Sequence, residues 1–205
     1  MTLHSEISES QLEEYVYQSN AIEGYSREEY GPGTLIFDNH MRAARNTAAR
    51  EIWYPREIHF TLMHGILGVG EAGVFRRVDV YIGGSAAVSP GSHLLRHMER
   101  FEAMAVLGPR ESQTAEDFCW EAHHYLECVH PFIDGNGRAG RLVLNGLRLR
   151  QGLPWLTINE GEEQQRYYRA IQRYRREFFD CHELRNKTKY VTPGVFVETV
   201  FSKEV

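Results

Sequence analysis

Two helix-forming segments meet at a loop too rich in glycine to be helical, and that junction constrains the chain most. On its N-terminal side Phe118, Ala122, Tyr125 and Val129 recur every three or four residues, the spacing of one helical face. Thr114 stands where it can cap that helix, with Asp117 three residues on as in a capping box. On the other side a helix is expected from about Gly137 to Gln151, stopped by Gly152 and Pro154. The loop between them reads His130-Pro131-Phe132-Ile133-Asp134-Gly135-Asn136-Gly137-Arg138-Ala139-Gly140-Arg141.

The same periodicity predicts further helices. One covers Ser8 to about Ile22, with Leu12, Tyr15, Val16 and Ser19 near one face. Others are expected at about Asn39 to Trp53, after Pro55 (Ile58, Leu62, Ile66), and after Pro90 (Leu94, Met98, Phe101, Ala105). Two more are expected at about Glu160 to Phe179 and after Pro193. Between Val74 and Val88 the pattern changes: Val78, Val80 and Ile82 alternate with polar neighbours before Gly83-Gly84, which signals a hairpin. The expected fold is mainly α, a bundle of seven or eight helices with one small β-hairpin flap. At 205 residues it forms a single compact unit, divided into an N-terminal arm over residues 1–38 and a main body over 39–205.

Hydrophobic residues at 42% and charged residues at 25% exclude disordered and low-complexity classes. A net charge of −5 argues against a nucleic-acid partner, whose phosphates need neutralising. Cys119, Cys128 and Cys181 have no metal-type spacing and favour a reducing compartment. The start has neither the basic nor the apolar region of a signal peptide, and no apolar run is long enough to span a bilayer. A cytoplasmic protein with no membrane association is the expectation.

The loop itself carries chemistry. Gly135 and Gly137 flank Asn136, so the backbone can turn successive N–H groups inward as an anion-binding nest opening into a helix N-terminus. Arg138 and Arg141 lie three apart on the first turn, and two converging guanidinium groups suit a polyphosphate. Asp134 precedes the nest; one carboxylate plus substrate phosphates is the usual way to hold Mg²⁺. His130 is a fair base near neutral pH. The competing reading, a glycine-rich turn with solvent-facing charges, explains an isolated Gly-x-Gly but not this whole constellation.

The segment resembles the motif of the Fic family (filamentation induced by cyclic AMP), H-x-F-x-[D/E]-G-N-G-R-x-x-R, at every fixed position. Ala72 to Arg76 with the hairpin through Ile82 is similar to the family's flap, and the resemblance extends over roughly Trp53 to Phe179. It implies transfer of AMP from ATP to a hydroxyl of a target protein, or of the chain itself. His130 would be the base and Asp134 would hold Mg²⁺. Gly135, Asn136, Gly137, Arg138 and Arg141 would bind the phosphates, and Phe132 would plug the loop. It also implies that Tyr167 and Tyr168 close the nucleotide pocket, and that Tyr81 and Ile82 dock the target by strand pairing.

Ser19-Asn20-Ala21-Ile22-Glu23-Gly24 resembles the family's inhibitory motif, [S/T]-x-x-x-E-[G/N]. The resemblance implies that Glu23 pairs with Arg141 and takes the place of the γ-phosphate, with Ser19 as the motif's hydroxyl residue. Other readings stay open: transfer of a different phosphate-linked group, removal of AMP, or a non-catalytic nucleotide-binding module. His123, His124, Glu127 and Cys128 have spacings that can bind zinc but are common in helices. Arg166, Arg169, Arg173 and Arg176 form a stripe best read as a solvated face. Tyr174-Arg175-Arg176 is bulkier and more basic than the family's usual residues near the nucleotide base, which bears on adenine preference.

Overall fold

The computed structural model describes residues 7–82 and 85–180. In chain order these form α1 (Glu9–Ile22), α2 (Leu35–Ala48), α3 (Pro55–Met63), the strands β1 (Tyr81–Ile82) and β2 (Ser85–Ala86), α4 (Ser92–Leu107), α5 (Ala115–Val129), α6 (Asn136–Arg150) and α7 (Glu162–Tyr174). A π-helical turn at Arg175–Phe179 continues α7. The fold is mainly α, as expected. The Gly83-Gly84 turn, Cys181 and the helix expected after Pro193 lie outside the described residues.

Helix α6 is buried almost all round and forms the centre, contacting α1, α2, α3 and α5. Leu142, Val143, Leu144 and Leu147 fill the core on its different sides, each at most 1% exposed. A helix so enclosed needs places where neighbours come close. At Gly146 an added Cβ would lie 3.1 Å from Cβ of Trp53. Helix α5 lies beside α6, with α4, α7 and the π-helical turn against it.

Buried amides tie the elements together. Asn145 of α6 donates to the Leu156 carbonyl (2.9 Å) and accepts from the Leu156 N–H (2.7 Å), fixing the strand-like run after α6. Asn39 of α2 donates to the carbonyls of Leu62 (3.2 Å) and His64 (2.8 Å), which α3 leaves unpaired at its C-terminus. Helix α1 starts with a full capping box between Ser8 and Gln11. At α5, the Thr114 hydroxyl accepts from Asp117 N–H at 3.1 Å.

Several boundaries differ from the sequence expectation. Helix α2 begins at Leu35 rather than Asn39, because the Thr34 side chain accepts from Phe37 N–H and starts the helix earlier. Helix α3 stops at Met63, leaving Ile66 beyond it, since His64 is extended and Gly65 takes φ 75°. The hairpin is shorter than its alternation suggested, pairing only Tyr81 with Ala86 and Ile82 with Ser85, plus Ala87 N–H to Val80 carbonyl at 2.9 Å. The carbonyls of Val78 and Val88 are taken by the Arg76 side chain instead of by a longer ladder. Among the described residues no helix is long and apolar enough to cross a membrane.

Asn39→Ala would leave two buried helix-end carbonyls without a donor. We expect a loss of about 2 kcal/mol in stability, read as a lower urea midpoint at unchanged slope.

Candidate active site

The loop after α5 is closed by its own side chains. His130 ends the helix in the left-handed region (φ 51°, ψ 64°), turning the chain sharply. Asn136 Oδ1 accepts from Phe132 N–H (2.8 Å) and its Nδ2 donates to the Phe132 carbonyl (2.9 Å), so the loop folds back onto the start of α6. Phe132, 1% exposed, stacks on the His59 ring at 3.8 Å and 7°. It is the apolar plug that the resemblance implied. His59 accepts from Gly73 N–H through Nδ1 (2.8 Å), which leaves Nε2–H to donate to the Asp134 carbonyl (2.9 Å). One neutral imidazole thus joins α3, the segment before the flap, and the loop.

Helix α6 begins without a side-chain cap at Gly135, whose φ of 73° sends the chain straight into the helix. The Gly135 N–H, expected to face the nest, donates to Asp134 Oδ1 at 2.6 Å. Arg141 is 2% exposed and its guanidinium bonds to the end of α1. Nε donates to Ser19 Oγ (2.9 Å), and Nη2 donates to the Ser19 carbonyl (2.8 Å) and Glu23 Oε1 (2.8 Å). Burial, the largest single cause, would lower its pKa, but the charge and hydrogen bond of Glu23 together with Tyr167 and Tyr15 outweigh it, and the net shift is upward. Glu23 Oε1 also sits where a side chain at Gly137 would project, so only glycine leaves room for it there. Glu23, Arg141 and the first turn of α6 form one contact.

Arg138 contrasts with Arg141. It is 2% exposed, yet Nε and Nη1 have no hydrogen-bond partner, and Nη2 meets only Met63 Sδ at 3.6 Å. Its guanidinium lies 4.9 Å from the ring centre of Tyr25, which covers it. Tyr25 follows the Ser19–Gly24 segment by one residue, and an aromatic at that point was its only trace in the sequence.

His130 is enclosed, and its Nδ1 finds no partner in good geometry. Burial pushes its pKa down to about 4, opposed by the Glu127 carbonyl facing the ring and by the charges of Glu23 and Asp134. It is therefore neutral at pH 7. Asp134 is exposed. Glu127, one turn before His130, is buried with Oε1 unpartnered, and burial pushes its carboxyl up to about 8.

Tyr167 is 1% exposed and its hydroxyl lies 3.1 Å from His123 Nε2, while His123 Nδ1 lies 3.0 Å from the Gly140 carbonyl. Both ring nitrogens of His123 are thereby engaged, and among the described residues no cluster of three or more His, Cys, Asp or Glu could hold a metal. Tyr168 is 39% exposed and donates to the Ile22 carbonyl at 3.3 Å, as does Gln164 Nε2, so α7 grips the end of α1. Arg166, Arg169 and Arg176 are exposed, while Arg173 bonds Glu177. Tyr81 is 71% exposed on the flap with Ile82 half-buried beside it. Sequence reasoning gave no role to Arg76, His59 or Tyr25, because each acts through contacts far along the chain.

The profile of the Fic/DOC family matches residues 53–147. Over 98 residues the chain is 40% identical to a protein adenylyltransferase Fic from Drosophila grimshawi, which is 48% of this chain and 20% of the fly protein. Residues 53–147 of this chain are a Fic/DOC domain. It spans about a fifth of that curated relative's length. A Fic-domain signalling protein from Bacteroides thetaiotaomicron superposes with a TM-score of 0.61 at 20% identity, covering 82% of this chain and 74% of that one, a likeness of fold. A Fic-1 fragment from C. elegans gives 0.59 at 26% identity, covering 78% of this chain and 54% of that one. The matched Fic region contains the flap, the loop and most of α6, whereas Ser19, Glu23 and Tyr25 precede it.

The buried imidazoles give the Fic domain a definite pH response. Burial lowers His59, His124 and His130 to about 4, and lowers His40 and His123 well below their ordinary value. An unfolded chain takes up these protons near 6.5, so the stability is present above that value and is lost as pH falls towards 4. At pH 5 the loss is about 2 kcal/mol for each of the first three. Glu127, raised to about 8, gains on acidification but is a single group against five. The denaturation midpoint should fall between pH 7 and pH 5; an unchanged midpoint would mean that these rings are solvated.

Proposed function

We propose that this chain transfers AMP from ATP to a hydroxyl side chain of a protein target, and that its arm, residues 1–38, restrains the activity through Glu23. The reading is carried by one observation: two buried arginines in the first two turns of α6, one bonded to a carboxylate and the other with two donor nitrogens unmet. Donors held in that way suit an anion of several charges. With Glu23 withdrawn, the triphosphate takes Arg141, and Arg138 and the uncapped start of α6 bind the remaining phosphates through Gly137 and Asn136.

Neutral His130 accepts the proton of the target hydroxyl. The hydroxyl oxygen bonds to the α-phosphorus while the bond from that phosphorus to its bridging oxygen breaks, and pyrophosphate leaves with the electron pair. Asp134 would hold Mg²⁺. An exposed single carboxylate beside phosphate oxygens fits an ion that keeps most of its waters, and the bound ion would spread the phosphate charge. Tyr81 and Ile82 offer the flap strand to the target. Tyr168 holds the arm on its hydroxyl side, and Tyr167 supports the wall behind Arg141 through His123.

Incubating the Glu23→Gly form with α-labelled and γ-labelled ATP tests the reading. Label from the α position alone is expected, on target or on the chain itself. Label from γ alone means phosphoryl transfer, and none from either means a binding module or removal of AMP. In that form His130→Ala should cut labelling by about 10²–10⁴-fold with ATP affinity largely kept. Tyr25→Ala should raise ATP affinity further by uncovering Arg138; unchanged affinity in calorimetry would remove Tyr25 from the restraint.

A further inference from the structure

Arg76 lies between the flap and the loop, 4% exposed, and its bonds run to both. Its Nε donates to the His130 carbonyl (2.8 Å) and Nη2 to the Val129 carbonyl (3.4 Å), which are orphan acceptors at the end of α5. Nη1 donates to the Val78 carbonyl (2.8 Å) and Nη2 also to the Val88 carbonyl. Its own N–H donates to the Pro131 carbonyl at 2.9 Å. Arg76, through its side chain and its own N–H together, therefore holds both feet of the hairpin and the residues around the turn that aims His130.

We infer that Arg76 is a positioning residue that couples the flap to His130, so that a target strand seated on the flap sets the backbone from which the base acts. The inference rests on the reading of His130 as base. Two features make the contact more than a scaffold. The hairpin pairs only two residues on each strand, too few to hold a shape alone, so its stems depend on the guanidinium. His130 is a non-glycine residue at φ 51°, a conformation that persists only where its surroundings fix it. Strain applied at Val78 or Val88 by an added strand reaches the His130 carbonyl through one rigid, planar group. Coupling of this kind is reciprocal: occupancy beside His130 also biases the flap.

Ala87→Pro tests it, because it removes the N–H that joins Ala87 to the Val80 carbonyl and loosens the hairpin without touching the loop. In the full chain with labelled histidine, the imidazole signal of His130, assigned by its loss in His130→Ala, should shift. In the Glu23→Gly form Ala87→Pro should lower kcat by about 10–100-fold as well as raising KM for the target. Arg76→Lys keeps the charge but cannot span four carbonyls, and should abolish any further effect of Ala87→Pro on the His130 signal. A His130 signal indifferent to Ala87→Pro, or a change confined to KM, would overturn the coupling; this arm needs no Arg76 variant and stands if Arg76→Lys fails to fold. If Glu23→Gly labels nothing, the reading of the function fails, while the imidazole signal still decides whether flap and loop are coupled.

Discussion

Arg141 has almost no access to water, so its guanidinium must find acceptors inside the protein, and the three it finds all belong to the end of α1. Docking of α1 and pairing of the Arg141 guanidinium are consequently one event. Removing Glu23 and Ser19 from a buried guanidinium without replacement would leave a charge uncompensated, which is far more costly than losing an exposed ion pair. On the proposed reading the arm would leave by exchange with another anion, and Gly137 is where the exchange would happen. Lacking a side chain, it leaves space that the Glu23 carboxylate now fills.

Arg138 supplies the other half of the logic. Two buried N–H groups without acceptors weaken the resting structure, since the face of Tyr25 is a poor substitute for a charged oxygen. On the proposed reading, stability forgone at rest would be binding energy available to a phosphate. The unequal states of the two arginines, one satisfied by the arm and one merely covered by it, fit a site that is closed yet primed.

Much of this was legible in the sequence, and the reasons are local. The stripes on α1, α4 and α5 are cores of amphipathic helices, and their buried residues Leu12, Leu94, Met98, Phe101 and Phe118 are those the spacing picked out. The loop was legible because its glycines, carboxylate and arginines are contiguous. The Glu23–Arg141 pair spans 118 positions and came from a resemblance, not from any periodicity. What stayed hidden acts across the fold. His59 reaches Asp134 over 75 positions and Arg76 reaches His130 over 54, and neither leaves a pattern beyond an ordinary helix or loop residue. The hairpin looked longer than it is because Val78 and Val80 alternate well, while the acceptors that a longer ladder needed were already committed to Arg76.

The low basicity of His130 follows from the same enclosure. Burial is its largest cause, Arg76 adds to it, and the negative charges of Glu23 and Asp134 oppose it. An imidazole near 4 is neutral, as a base must be, but holds a proton weakly. If Glu23 departed with nothing in its place, one of the opposing charges would vanish and the ring would become weaker still. A polyphosphate arriving at Arg141 brings several negative charges where Glu23 supplied one, and nearby negative charge favours the protonated imidazole. If His130 is the proposed base, it would thus gain strength only when the polyphosphate is bound. On that reading an empty, unrestrained site would be open but inert, and the arm would not be needed at every moment to prevent stray chemistry. Under the proposed function its task is narrower: to compete for Arg141 with an incoming phosphate.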